Sequence, residues 1–209
     1  MRGDLYLYNN QLPFIILCHQ DGSNRSEFYE IAPRLLNLNY NCLAIDLRAG
    51  GNVDFTENET AERALSENRT ISLIDAREDI VAAIQYVQRF NQQPVILFGS
   101  SYSASLCLLT SMNNPLVKAV VAFSPGEYFQ PRINVGEEIR KIDKRIFVSA
   151  TQAEYSYLER MMAGIPQDRF TLFKPENSNG YHGARALCST NSTRNEYWFA
   201  LTMFFKGLM

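Results

Sequence analysis

The stretch VILFGSSYSAS, Val95 to Ser105, decides how this chain folds. Val95–Phe98 is a short apolar run of the kind buried on both faces of a parallel sheet. It passes directly into a small-residue turn and then into a helical stretch, Tyr102–Met112, which Pro115 ends. A strand that enters a helix through such a turn is the setting of a nucleophile elbow, GxSxG, which lifts a serine hydroxyl clear of the backbone. The turn crowds the residues two before and two after the nucleophile, so both must be small. Ser101, between Gly99 and Ser103, meets that condition. Ser100 would place Phe98 and Tyr102 in the crowded positions, and Ser103 lies too far into the helix. Ser101 is therefore the candidate nucleophile, with Ser103 standing where the pattern has its second glycine. Read alone, the motif fits a tight turn packing helix on sheet equally well, and the rest of the chain has to decide.

Working outward, further strand-like runs are Asp4–Tyr8, Phe14–His19, Cys42–Asp46, Val117–Phe123, Arg145–Ala150 and Arg169–Phe173. Helical patterns separate them. Ser26–Leu38 puts Phe28, Ile31, Ala32 and Leu35 on one face; Ser72–Phe90 does so with Ala76, Ile80, Ala83, Ile84 and Val87. Tyr155–Met162 and Asn195–Lys206 complete the set. Strands alternating with helices predict an α/β fold. Its centre is a mostly parallel sheet of about seven strands, covered by helices on both faces. In such sheets ligands bind at the carboxyl ends of the strands, so the loops after the strands are the places to search.

The 209 residues suit a single domain spanning 1–209. A formal net charge of −2 and the lack of a basic, aromatic-laced patch argue against nucleic-acid binding. The longest apolar runs, such as Phe14–Cys18 and Ala119–Phe123, fall far short of the ~20 residues a membrane helix needs. The opening MRGDLYLYNN has no apolar core of a secretory signal. Cys18, Cys42, Cys107 and Cys188 show no metal-ligand spacing, and reduced, buried thiols in the cytoplasm are expected.

The segment Phe14–Gly51, FIILCHQDGSNRSEFYEIAPRLLNLNYNCLAIDLRAGG, resembles the α/β-hydrolase superfamily, in particular its small dienelactone hydrolase-like branch. There an H-G or H-Q pair follows a central strand, a helix comes next, and the following strand ends in D-x-R. Here these are His19-Gln20 and Asp46-Leu47-Arg48. The resemblance implies an α/β-hydrolase fold, an oxyanion hole built from the backbone N–H groups of Gln20 and Tyr102, and His19 as a structural residue of that turn. His182, in the polar loop ENSNGYHGARAL (Glu176–Leu187), is the remaining histidine. Its Y-H-G setting is also similar to the family's catalytic histidine. Its place after Ser101 fits the chain order Ser, acid, His.

The acid should follow a strand between Ser101 and His182. Asp143 and Asp168 precede strands and fall at the wrong edge. Glu154, after Arg145–Ala150, is the first candidate, where the family usually carries Asp; Glu127, after Val117–Phe123, is the alternative. Together these residues point to a serine hydrolase without metal or organic cofactor. It cleaves a small carboxylic ester or thioester through an acyl-enzyme on Ser101, with a peptidase as a variant of the same chemistry. The competing reading is a non-catalytic scaffold of this fold that binds a small molecule or a protein. The short stretch Pro125–Ile142 predicts no large cap. The polar segment Gly50–Arg69, with Asp54, Glu57, Glu59, Glu62 and Glu67 against Arg63 and Arg69, is read as a loop bordering the site. Tyr102, Tyr128, Phe129, Tyr155 and Tyr181 are candidates to line an acyl or aromatic pocket.

Overall fold

The computed structural model describes residues 1–53 and 55–208. The predicted strand runs form β1 (Gly3–Tyr6), β2 (Phe14–Cys18), β3 (Asn41–Ile45), β4 (Val95–Ser100), β5 (Val117–Phe123), β6 (Arg145–Ser149) and β7 (Phe170–Phe173). They make one sheet in the order β1-β3-β2-β4-β5-β6-β7. β1 pairs antiparallel to β3, and every other pairing is parallel. The chain steps outward from β2 to β3 and then returns to lay β4 on the other side of β2. That reversal opens a crevice at the carboxyl ends of β2 and β4. The register sets Cys18 beside Gly99, so the turns carrying Gln20 and Ser101 leave the sheet as neighbours.

Side chains alternate between the two faces of the sheet, as the period of a strand requires. Phe14, Ile16, Cys18, Val95 and Leu97 enter one apolar core, and Ile15, Leu17, Ile96 and Phe98 the other. The first core is closed by α3 (Arg77–Val87), α4 (Tyr102–Ser111) and α6 (Gln152–Met162), with the short α5 (Val135–Glu138). The second is closed by α1 (Ile31–Leu36) and α7 (Arg194–Lys206). Every residue of α4 is buried, so the helix after Ser101 is fixed on all sides and offers its neighbours a rigid mount.

Three local expectations change. The predicted helix Ser26–Leu38 splits into a 3₁₀ turn, Arg25–Phe28, and α1. Pro33 has no N–H and breaks a helix interior, and a helix starting at Ile31 puts it in the first turn, where no bond is lost. The helix expected from Ser72 starts at Arg77, because Ser72–Ala76 close into turns with the Ser72 hydroxyl donating to Asp75 at 2.6 Å. The segment expected as a polar loop holds α2 (Glu59–Ser66). Asn58 caps it by accepting the Ala61 N–H, and its buried face is only Thr60, Ala61 and Ala64, too small to give a strong apolar period. Asp54 of that segment lies outside the described residues.

Candidate active site

Ser101 sits between β4 and α4 with φ 60° and ψ −124°. A non-glycine residue at positive φ costs about 1–3 kcal/mol and persists only where its surroundings impose it. Here its N–H donates to the Phe123 carbonyl at 2.8 Å, and Tyr102 starts a buried helix at once. Gly99 is obligatory: a Cβ there would lie 2.4 Å from Ala104 Cα and 2.5 Å from both Ala104 N and the Ser103 carbonyl oxygen. Serine is accommodated at the second small position because its hydroxyl turns back onto the sheet. Ser103 Oγ lies 2.7 Å from the Cys18 carbonyl and accepts the Ser100 N–H at 2.9 Å.

The three side chains singled out from the sequence meet in one chain of hydrogen bonds. Ser101 Oγ is 2.8 Å from His182 Nε2, and His182 Nδ1 is 2.6 Å from Glu154 Oε1. Glu154 is the third residue of α6 and closes a capping box with Thr151. Its Oε2 accepts the Thr151 N–H at 3.0 Å, the Thr151 hydroxyl at 2.9 Å and the Ser124 hydroxyl at 3.1 Å. Burial alone would raise this carboxyl. The His182 and Thr151 donors outweigh that and hold it at about 2, so it is ionised at neutral pH. The same contact with Glu154 raises the pKa of His182 from its ordinary value, against an opposing effect of burial. With an ionised acceptor on Nδ1, that nitrogen carries the proton of the neutral ring and Nε2 presents its lone pair to Ser101.

The residues that hold this chain in place are ones the sequence reading misses. Ser124, directly after β5 at φ 53°, is a junction. Its N–H donates to the Ser149 carbonyl at 2.7 Å, its hydroxyl donates to Glu154, and its Oγ accepts the Gly183 N–H at 3.0 Å. The next amide, Ala184 N–H, donates to Ser100 Oγ at 2.9 Å, and the Ser100 hydroxyl donates to Glu27 Oε1 at 2.6 Å. Two serines, each tied to a carboxylate, thus grip consecutive amides just after His182. Gly183 has φ 67°, and a Cβ on it would lie 2.5 Å from Ser100 Oγ, so only glycine fits that approach.

Glu27 also bears on the expected oxyanion hole. Its Oε2 accepts the Gln20 N–H at 2.8 Å, so one of the two expected donors is engaged by a carboxylate in this structure. Burial raises the Glu27 carboxyl, while Ser100 and Gln20 act to lower it. The other expected donor, Tyr102 N–H, heads α4, where the first turn of a helix leaves its N–H groups without intrahelical acceptors. His19 is structural, as expected. Nδ1 lies 2.7 Å from the Gln20 carbonyl and Nε2 accepts the Leu47 N–H at 2.8 Å, which requires a neutral ring. Burial lowers its pKa to about 4. The D-x-R pair is structural too: Asp46 accepts the Arg25 backbone N–H and guanidinium, and Arg48 forks onto Asp79.

Glu127, the alternative acid, is elsewhere: it accepts the Val135 and Gly136 N–H groups at 2.6 and 2.7 Å and caps α5. Of the five aromatic residues expected to line a pocket, the Tyr102 and Phe129 rings are in the core, and Tyr155 lies under Lys174 at 4.7 Å. Tyr181 donates to the Thr190 carbonyl. Tyr128 is the one that touches Ser101, its hydroxyl 3.0 Å from Ser101 Oγ. In the segment expected to border the site, Glu59, Glu62 and Glu67 pair with Arg2, Asn52 and Arg69. The His182 side chain is 42% exposed, whereas Ser101 is buried. Among the described residues no group of three or more His, Cys, Asp or Glu is placed to hold a metal ion, and no helix is long and apolar enough to cross a membrane.

Residues 13–175 match the model of the alpha/beta hydrolase fold family. No curated protein matches the sequence. Among solved structures, a monoacylglycerol lipase of Paleococcus ferrophilus superposes with TM-score 0.72 at 10% identity, over 100% of this chain and 99% of that one. A dienelactone hydrolase of Anabaena variabilis gives 0.70 at 15%, over 98% and 90%. An esterase of Pyrococcus furiosus gives 0.67 at 17%, over 96% and 84%. At these identities the likeness is one of fold.

Proposed function

The chain belongs to the α/β-hydrolase fold family, and from that premise we propose that it is a serine hydrolase acting on a small carboxylic ester or thioester. The observation that carries the reading is the unbroken contact Glu154–His182–Ser101, with a serine held at positive φ at its end. A binding scaffold gives no reason to maintain that strain or a carboxylate aimed at the imidazole.

In the proposed reaction Ser101 Oγ attacks the acyl carbonyl as its proton passes to His182 Nε2. The imidazolium that forms is stabilised by the ionised Glu154. His182 then protonates the leaving oxygen or sulfur, and that bond breaks to leave an acyl-enzyme on Ser101. A water attacks next, giving its proton to His182; the C–Oγ bond breaks, and Oγ recovers the proton. The Tyr102 N–H is the fixed oxyanion donor. The Gln20 N–H, which donates to Glu27 Oε2 at 2.8 Å in this structure, is the second proposed donor. An oxyanion-hole donor is typically worth about 2.7–4 kcal/mol of barrier.

The test is a panel of p-nitrophenyl esters and a thioester of increasing acyl length, assayed with wild type and Ser101→Ala. Turnover of the short members that is lost in Ser101→Ala supports the reading. Turnover that survives the substitution, or none on any member by a folded wild type, contradicts it.

A further inference from the structure

Resting on the hydrolase reading, we propose that Tyr128 is a further catalytic residue, whose phenolic O–H donates to Ser101 Oγ and stabilises charge on that oxygen as the acyl bond to it forms and breaks.

Glu154 is ionised, so the proton of the neutral His182 ring sits on Nδ1 and Nε2 is an acceptor. The single proton of Ser101 is therefore given to His182 Nε2, 2.8 Å away. With that proton committed to His182, only the phenol can supply a proton to the 3.0 Å contact between Ser101 Oγ and the Tyr128 hydroxyl. The phenol has a second acceptor, the Ser124 carbonyl at 3.2 Å. One proton faces two oxygens, and whichever bears more charge draws it.

That competition makes the contact stronger in the transition state than at rest. Before reaction both acceptors are neutral. As Oγ passes its proton to His182 and attacks, it carries partial negative charge, and a hydrogen bond to a charged acceptor is roughly twice as strong as one to a neutral acceptor. The same holds when the C–Oγ bond breaks and the bonding pair returns to Oγ before His182 reprotonates it. Only an interaction that strengthens on the way to the transition state accelerates the reaction. Burial raises the Tyr128 phenol from its ordinary value, which keeps the donor protonated across the working range.

This donor acts on Ser101 Oγ, whereas the Tyr102 and Gln20 N–H groups are the proposed donors to the acyl oxygen. In this structure the Gln20 N–H lies on Glu27. Gln20 and Glu27 precede β3, whereas Tyr128 reaches Ser101 from the segment after β5, the strand on the other side of β4. Its anchor, Ser124, is the residue that also braces Glu154 and the His182 loop, so the phenol is aligned by the same junction that aligns the acid and the base.

The experiment compares wild type, Tyr128→Phe and Tyr128→3-fluorotyrosine, a stronger donor of nearly the same shape. Each is assayed for kcat and KM on p-nitrophenyl acetate, and for the rate of covalent labelling by a fluorophosphonate. Labelling of wild type at Ser101 tests the hydrolase reading itself; if it is absent, that reading fails and the role of Tyr128 fails with it. With labelling present, Tyr128→Phe is expected to lower kcat and kcat/KM together by about tenfold to a hundredfold, the range for one hydrogen bond to a charged group. The fluorinated variant should match or exceed wild type below the pKa of its phenol. A Tyr128→Phe variant within twofold of wild type would overturn the proposal. So would a loss confined to KM, or a fluorinated variant as impaired as phenylalanine, since either marks a role in shape alone.

Discussion

Replacing Glu154 by glutamine removes one charge and almost no volume, and the geometry dictates the consequence. The carboxylate serves four donors: His182 Nδ1 on Oε1, and the Thr151 N–H, Thr151 hydroxyl and Ser124 hydroxyl on Oε2. An amide has one acceptor oxygen. If that oxygen stays with Thr151 and Ser124, the NH₂ group faces His182 Nδ1, which must give up its proton; Nε2 then carries it and cannot accept from Ser101. If the oxygen turns to His182, the NH₂ group is pressed against the hydroxyls and the N–H of the capping box. The first arrangement satisfies more groups and leaves the base in the wrong tautomer. In a well-studied serine protease triad, the equivalent substitution costs about 10⁴ in kcat. For Glu154→Gln we expect kcat/KM to fall by about 10³–10⁴, or roughly 4–5 kcal/mol of barrier. Stability should change far less, by about 1 kcal/mol for a weakened helix cap, or a few degrees in Tm for a chain of this size. Thr151→Ala is the control: it loses a comparable part of the cap but leaves the acid, so activity should stay within about tenfold. Steady-state kinetics on a short p-nitrophenyl ester, with thermal melts, decide the matter. Glu154→Gln retaining more than a tenth of wild-type activity would refute Glu154 as the acid.

The same geometry sets further outcomes. Glu127→Gln should weaken the cap of α5, lower Tm by a few degrees and leave kcat unchanged; a large loss of kcat with intact folding would return Glu127 to the mechanism. The base must be neutral to work, and Glu154 raises the pKa of His182, so activity should fall toward acid with a midpoint above the ordinary 6.5 of histidine; a midpoint below it would contradict the ion pair. The chain has two histidines, so in His182→Ala the remaining ring signal in a proton NMR titration belongs to His19. It should titrate near 4. As pH falls from 6.5 toward 4 the unfolded chain binds a proton that the folded ring refuses, so this group removes about 3 kcal/mol of stability across that window; a midpoint near 6.5 would show that the ring is not buried neutral. Ser100→Ala frees the Ala184 N–H and one oxygen of Glu27 while touching no reacting atom. It should lower kcat several-fold through a looser His182 loop, and an unchanged kcat would remove Ser100 and Glu27 from that support.

Much of this architecture is legible in the residues alone because its strands are short apolar runs separated by longer helical periods. The seven predicted runs are the seven strands, and the errors fall where local chemistry is quieter. The face of α2 is built from Thr60, Ala61 and Ala64, so its apolar period is faint, although Asn58 with Glu59 and Glu62 in the first turn is a start signal. Within the site, Ser101 and His182 are legible because elbow sterics and chain order constrain them. Glu154 carries an unread signal: Thr151-Gln152-Ala153-Glu154 is a capping box, which places the carboxylate at a helix start rather than in a loop. The contacts of Ser124, Tyr128 and Glu27 are beyond the reach of sequence. Each depends on backbone at positive φ or on segments far apart in sequence, and neither leaves a local pattern in the chain.

Mass-resolved labelling with a fluorophosphonate, comparing wild type, Ser101→Ala and His182→Ala, tests directly whether Ser101 is an activated nucleophile. We expect one adduct per wild-type chain, mapped to Ser101, none in Ser101→Ala, and labelling slowed by orders of magnitude in His182→Ala. A folded wild type that stays unlabelled, or an adduct that persists when Ser101 is alanine, would contradict an activated serine at the end of β4.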